Sequence, residues 1–304
     1  MRIDTECADC LGRLVRQTVD QATRDEGLRQ ETLRSAMEVL DLHLCPGKVS
    51  TEAAGEAQRL IRQFTGNRDP YREWKDREME RAAHLFKALR PHYGDDIRSL
   101  FALSLLGNAP DFFKDIDTAE QEMLQPVTFD IDHIDQVVSF LEGTRSSLFV
   151  ADAAMDNLLC FVPSANLCVR KVLFLADNAG ECFFDLPLVE ALRRDVLVTY
   201  VVKRGPVQND LTLEDLLLAG VHGKMAPVMT SGTDTPGLDL SLASQEFRDE
   251  FASADLIIAK GMANYETLSE LPPSEKVFHL LVAKCSPVAR SIGVPKGSYV
   301  ALLR

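Results

Sequence analysis

The sequence predicts an α/β protein: a doubly wound, mostly parallel three-layer α/β/α sheet domain over residues 146–304, preceded by a helical N-terminal domain over residues 1–145. Two observations carry this reading. In the first half the apolar residues recur at helical spacing; in the second, short aliphatic runs alternate with helix-patterned segments, as parallel strands joined by crossovers require.

In chain order, Leu11, Leu14, Val15, Thr18, Val19 and Ala22 fall on one helical face, and "EMERAAHLFKAL" repeats the pattern. Breaks at "CPGKVS", "GNRDPY", "PHYGDD" and "GNAPDFF" carry the Gly, Pro, Asn and Asp that end helices, so four to six helices are expected. The stretch "SSLFVADAAMDNLLCFVPSANLCV" fits either an extra strand pair or a buried helix, and its periodicity does not choose. After it, "VLFLA", "VLVTYVV", "DLIIA" and "VFHLLVA" read as buried strands, separated by helical "CFFDLPLVEALRR", "LTLEDLLLAG" and "YETLSEL".

Composition narrows the function classes. A net charge of -13 with no basic patch argues against nucleic acid or an anionic membrane as partner. No apolar run approaches the ~20 residues that span a bilayer, and the start shows no secretory pattern, so a cytoplasmic protein is expected. Seven cysteines in such a chain do not suggest a disulfide framework. No G-x-G-x-x-G follows a strand and no GxxxxGK[ST] occurs, which removes the main support for dinucleotide and P-loop readings. Six histidines without i, i+4 pairing or HExxH disfavour a histidine-based zinc hydrolase, and His279 reads as a core residue.

Open α/β sheets bind ligands beyond the carboxyl ends of their strands. The residues there are Asp177, Asn178 and Gly180; then Asn209 and Asp210; then Lys260, Gly261 and Asn264; then Lys284. Carboxylate and amide oxygens are hard ligands suited to Mg²⁺ or Mn²⁺, and lysines with helix N-termini suit phosphate. Each piece alone is also ordinary turn or capping chemistry, with Asp210 or Thr212 as a helix cap. Turns, however, require no charge pattern shared across separate loops. The joint occurrence points to a metal-phosphate site.

"LADNAGECFFDLPLVEAL", "GPVQNDLTLEDLLLAG", "ADLIIAKGMANYETLSE" and "LLVAKCSPVARSIGVPKGS" occur in the order and spacing of the damage-control phosphatases, domain-of-unknown-function family 89, which this chain resembles over nearly its whole length. "CADC", "NRDPYREWK" and "LGNAPDFF" are similar to that family's prokaryotic branch. The resemblance implies a metal-dependent phosphatase of small phosphorylated metabolites, often sugar phosphates, using Mn²⁺, Co²⁺, Ni²⁺ or Mg²⁺. It implies Asp177, Asn178 and Asp210 as metal ligands, and Lys260, Gly261, Asn264 and Lys284 as phosphate and substrate contacts. Asn108 and Asp111 of "GNAPD" match a further motif, expected at the cleft rim. Asp177 is the carboxylate expected to assist proton transfer; a phosphoaspartyl route is disfavoured because Ala179 stands where a D-x-D motif has its second acid. Residues 146–169 look like extra sequence, and Met79 stands near a position where the family tends to carry asparagine.

The same branch carries Cys7, Cys10 and Cys285, so a three-thiolate cluster is one reading and reduced structural thiols the other. Cys45, Cys160, Cys168 and Cys182 read as core. Trp74 is expected to pack a helix in the N-terminal region; Asp69, Tyr71 and Lys75 have a second, less favoured reading, in which they reach the substrate from the helical side. Two rival functions remain at this point: an S-adenosylmethionine-dependent carboxyl methyltransferase, for which the glycine-rich loop is thin, and a metal- or phosphate-binding module without turnover.

Overall fold

The computed structural model describes residues 1–45, 47–109, 121, 123–142 and 170–304. Five helices come first: α1 (Thr5–Ala22), α2 (Glu26–His43), α3 (Ser50–Thr65), α4 (Arg72–Leu89) and α5 (Ile97–Asn108). Asp4, Asp25 and Asp96 start α1, α2 and α5 by accepting hydrogen bonds from first-turn N–H groups. The chain continues through β1 (Phe129–Asp132), β2 (Lys171–Leu175), α6 (Cys182–Leu192), β3 (Leu197–Val202), α7 (Leu213–Leu218), α8 (His222–Met225) and β4 (Val228–Thr230). It ends with α9 (Gln245–Ser253), β5 (Leu256–Lys260), α10 (Gly261–Leu268), β6 (Val277–Val282), α11 (Ser286–Ile292) and β7 (Tyr299–Leu303).

The strands form one sheet in the order β1-β7-β6-β5-β2-β3-β4, parallel throughout except for the β6–β7 pair. The four aliphatic runs are β2, β3, β5 and β6, the centre of the sheet. β1, β4 and β7 were not anticipated. They lie at or near the sheet edges, where a strand needs only short or half-apolar sequence, and β4 has just three residues. The expected boundary at residue 145 falls among residues 143–169, outside the described part, as does the whole stretch 146–169.

Central strands are buried on both faces, and alternate residues feed different cores. Phe174, Tyr200, Ile258, Phe278 and Leu280 point to the side covered by α4, α5 and α6, joining Leu85, Phe101, Leu105 and Phe184. Leu173, Leu175, Val201, Ile257 and Ala259 point to the other, joining Phe247 and Phe251 of α9. A separate small core, including Leu11, Val15, Leu40, Ala53 and Ile61, holds α1, α2 and α3 together. Cys182 is buried as expected, whereas Cys45 is exposed just beyond the end of α2. His279 is fully buried in β6, edge-on to Tyr265.

The helical region is tied to the sheet by charge as well as packing. Lys75 Nζ lies 2.9 Å from Asp69 and 3.2 Å from Asp215, and Arg72 Nη1 lies 2.6 Å from Asp215. Asp215 Oδ2 also accepts from the Thr212 N–H and hydroxyl, capping α7. Lys75 and Asp69 therefore serve as an anchor, and Tyr71 bonds Thr18 within the same region. Burial alone would raise the Asp215 pKa, but Lys75, the Thr212 bonds and Arg72 hold it below the ordinary value. A depressed carboxylate contributes stability above its unfolded pKa, near 3.9, and loses it as pH falls through the folded value. Asp215→Asn is thus expected to cost about 3 kcal/mol at pH 7 and less below about pH 4, read from denaturant midpoints at both pH values.

Candidate active site

Strand order places the site. From β2 the chain runs outward through β3 to β4 and then returns to β5 on the other side of β2, so the strand order reverses between β2 and β5, where open α/β sheets place their ligands. Asp177 and Asn178 stand at the carboxyl end of β2. The β3–α7 loop is zipped to them by backbone bonds: Ala179 N–H donates to Asn209 O, Leu211 N–H donates to Asp177 O, and Asn178 bridges Asp210. Two carboxylates distant in sequence are thereby held side by side.

Below them lies a buried polar layer. Asn108, at the end of α5, donates through Nδ2 to Asp177 Oδ2 (2.9 Å) and Glu181 Oε1 (2.7 Å). Asn178 Nδ2 donates to the same two carboxylates. Lys260 Nζ lies 2.9 Å from Glu181 Oε2 and donates to Asp185 Oδ1 and the Ser104 carbonyl. Asp185 further accepts from the Ser104 and Tyr200 hydroxyls. Burial would raise Glu181, yet the Lys260 charge and the bonds to Lys260 and Asn108 hold it below its usual range. Asp177 is pushed well above its usual range by burial and by the charges of Glu181 and Asp210.

This layer corrects two expectations. Lys260 is fully buried, donating to Asp185 and the Ser104 carbonyl and ion-paired with Glu181, so in this structure it sits as an internal counter-ion and not at an open phosphate cradle. Asn108 sits beneath Asp177, 2 % exposed, and not at the rim. Asn264 donates to the Ala176 and Lys260 carbonyls, clamping β2 to α10 from inside. Asp111 lies outside the described residues. Lys260→Met would leave Glu181 and Asp185 buried without their cation, and is expected to lower stability by about 3–5 kcal/mol in chemical denaturation.

Gly261 meets the site as backbone. Its φ is +76°, and a Cβ there would overlap the Asp177 carboxylate. The side chain of its predecessor, Lys260, does not cap α10. The first turn of that helix begins beside Asp177, which sets its positive dipole end against that carboxylate. Lys284 is exposed beyond β6, and its charge acts on Asp177, Glu181 and Glu78.

Among the described residues no group of three or more His, Cys, Asp or Glu is arranged to hold a metal. The donors this edge offers a cation are the carboxylates of Asp177 and Asp210 and the amide oxygen of Asn178, the set expected from the sequence. Asp210 Oδ2 is buried and makes no well-formed hydrogen bond; its partner is the Lys203 ammonium, a long ion pair at 3.4 Å. An oxygen held by one such pair alone has room for a further cation. Cys7, Cys10 and Cys285 lie where α1 packs on α11, within electrostatic reach of one another, but they are free thiols and do not form a metal-holding group. Burial pushes Cys7 and Cys285 up, the direction of inert thiols.

Four groups escaped the sequence reading. Glu181 is four residues after Asp177 and could have been found by continuing "DNAG" into the first helical turn. Asp185 is an acid on the buried face of an otherwise apolar helix, a visible anomaly in "CFFDLPLVEAL". Lys203 directly follows the "VLVTYVV" strand and was passed over for Asn209. Glu78 had no signal: α4 brings it to Asn209, and burial together with Glu181 pushes it up to about 7 against the Asn209 bond and the Lys284 charge.

Comparison with known proteins identifies the family and supports the fold. Residues 3–300 match the model of the damage-control phosphatase ARMT1-like domain. The chain is 32% identical over 304 residues to a damage-control phosphatase of Pyrococcus horikoshii, covering 99% of this chain and 98% of that one. It is 31% identical over 308 residues to a damage-control phosphatase of Archaeoglobus fulgidus, covering 99% of each. A crystal structure of a DUF89 family protein from Pyrococcus horikoshii superposes with a TM-score of 0.84 at 30% identity, covering 100% of this chain and 99% of the other. With a family model spanning almost the whole sequence and a shared fold, the chain belongs to the damage-control phosphatase ARMT1-like domain family.

Proposed function

We propose that this protein is a divalent-metal-dependent phosphatase of small phosphorylated metabolites, sugar phosphates or related damaged metabolites. The observation that carries the reading is the buried pair Asp177 and Asp210 at the carboxyl end of β2, Asp177 against the first residue of α10 and Asp210 Oδ2 lacking a well-formed hydrogen bond. The names of the relatives support it.

Asp177, Asn178 and Asp210 would hold the metal, Mn²⁺, Co²⁺, Ni²⁺ or Mg²⁺. When bound, such an ion neutralises phosphoryl charge and supplies a water nucleophile at neutral pH. The protein's own part is positioning. Asn108 and Asn178 fix the Asp177 carboxylate, and Glu181 fixes both amides in turn. The first turn of α10 offers N–H groups and a positive dipole end to phosphate oxygens, and Gly261 lets the backbone come that close. Lys284, exposed at the mouth, adds mobile positive charge that draws in a dianion.

The test is phosphate release from a panel of sugar and nucleotide phosphates, with metal-stripped protein compared with protein given each of the four metals. Release that depends on added metal supports the reading. Metal binding without release from any ester would leave a binding module.

A further inference from the structure

Building on the phosphatase reading, we propose that Lys203 is the buried phosphate contact of this site, the role that Lys260 does not fill in this structure. Lys203 follows β3 at the same sheet edge as Asp177, and its side chain is 7% exposed. One of its three N–H groups goes to the Gly237 carbonyl. At 3.4 Å the pair with Asp210 Oδ2 is looser than the 2.7–2.9 Å of a charge-assisted bond, so this ammonium is not fully claimed.

Its surroundings are built and not incidental. Gly237 has φ +65°, and a Cβ there would run into the Ala263 carbonyl, so the segment 231–237 is pressed on the first turn of α10. The Lys203 ammonium is held between that segment and Asp210, and its charge acts on both Asp177 and Asp210. A buried ammonium is costly without an anion. Asp210 is the anion it faces, and a metal held by Asp210 would take up that negative charge. A phosphoryl dianion would then restore the balance for Lys203. In strand order β6-β5-β2-β3, Lys284 and Lys203 flank the site from its two sides, one exposed and one buried.

The test uses full-length protein loaded with Mn²⁺ and inorganic phosphate as probe, read by thermal shift, by Mn²⁺ titration and by phosphate inhibition of turnover. Lys203→Met is expected to weaken phosphate affinity by about tenfold or more while Mn²⁺ binds at least as tightly as in the wild type. Unchanged phosphate affinity with tighter Mn²⁺ binding would make Lys203 only the counter-ion of Asp210 and overturn the proposal. Should Lys203→Met fold poorly, Lys203→Arg keeps the charge: it is expected to retain most of the phosphate-induced shift, and a folded Lys203→Arg with none overturns the proposal. Wild-type protein that shows a Lys203-dependent phosphate shift but no turnover supports this contact while sinking the phosphatase reading. Wild-type protein with neither sinks both.

Discussion

Asp210→Ala is expected to reduce metal-dependent phosphate release by about a thousandfold, roughly 4 kcal/mol of transition-state stabilisation. Asp210 belongs to a loop held at the β2 terminus by backbone bonds to residues 177–179, by the Asn209–Glu78 bond and by its own pair with Lys203. Its side chain is 7% exposed, so little solvent reaches it. Alanine removes one of the two negative charges opposing the cation and leaves Lys203 facing the place where the cation would sit. Metal affinity should fall together with turnover, and the two are separable by titrating Mn²⁺ into the variant before assaying it. Asp210→Asn keeps an oxygen and tests charge alone. A variant releasing phosphate at the wild-type rate would place the chemistry elsewhere in the molecule.

Gly261→Ala is the second large effect, from the addition of a single methyl group. At φ +76° an L-residue costs roughly 1–2 kcal/mol, and here the new Cβ would also overlap the Asp177 carboxylate. Either α10 retreats, opening the phosphate cradle, or Asp177 turns and loses its bonds from Asn108 and Asn178. A displacement of about 1 Å in a reacting constellation is worth on the order of a hundredfold in rate. Turnover should fall by at least about that factor while circular dichroism shows the fold retained. Gly223 supplies the control, since it has no neighbour within 4 Å of a Cβ and no positive φ. Gly223→Ala should leave activity unchanged. Equal activity in both variants would show that the backbone of Gly261 does not need its close approach to Asp177.

These effects show which parts of the site could be read along the chain. Asp177, Asn178, Asp210 and Gly261 were legible because each follows an aliphatic run, and the end of a parallel strand is where such a sheet exposes its ligands. Lys260 was assigned by the same rule and came out differently. Position after a strand says nothing about which way a side chain turns, and that choice was made by Asp185 and Glu181, two acids on α6 and the turn before it. Glu78 reaches the site on a helix packed from the other half of the chain, a long-range arrangement without a local pattern; Asn108 was named by its motif, but its place beneath Asp177 is likewise set by packing.

The sequence by itself determined the four central strands, the helices between them and the sheet edge at which Asp177, Asn178 and Asp210 gather, because hydrophobic period and turn residues are local properties. Tertiary structure alone decided the order of the strands, the edge strands β1, β4 and β7, and the division of the lysines. Lys260 became a buried counter-ion, Lys284 an exposed charge and Lys203 the ammonium beside Asp210. The reason is electrostatic: in a water-poor interior each charge is fixed by the nearest opposite charge, and those neighbours are set by packing across the whole chain.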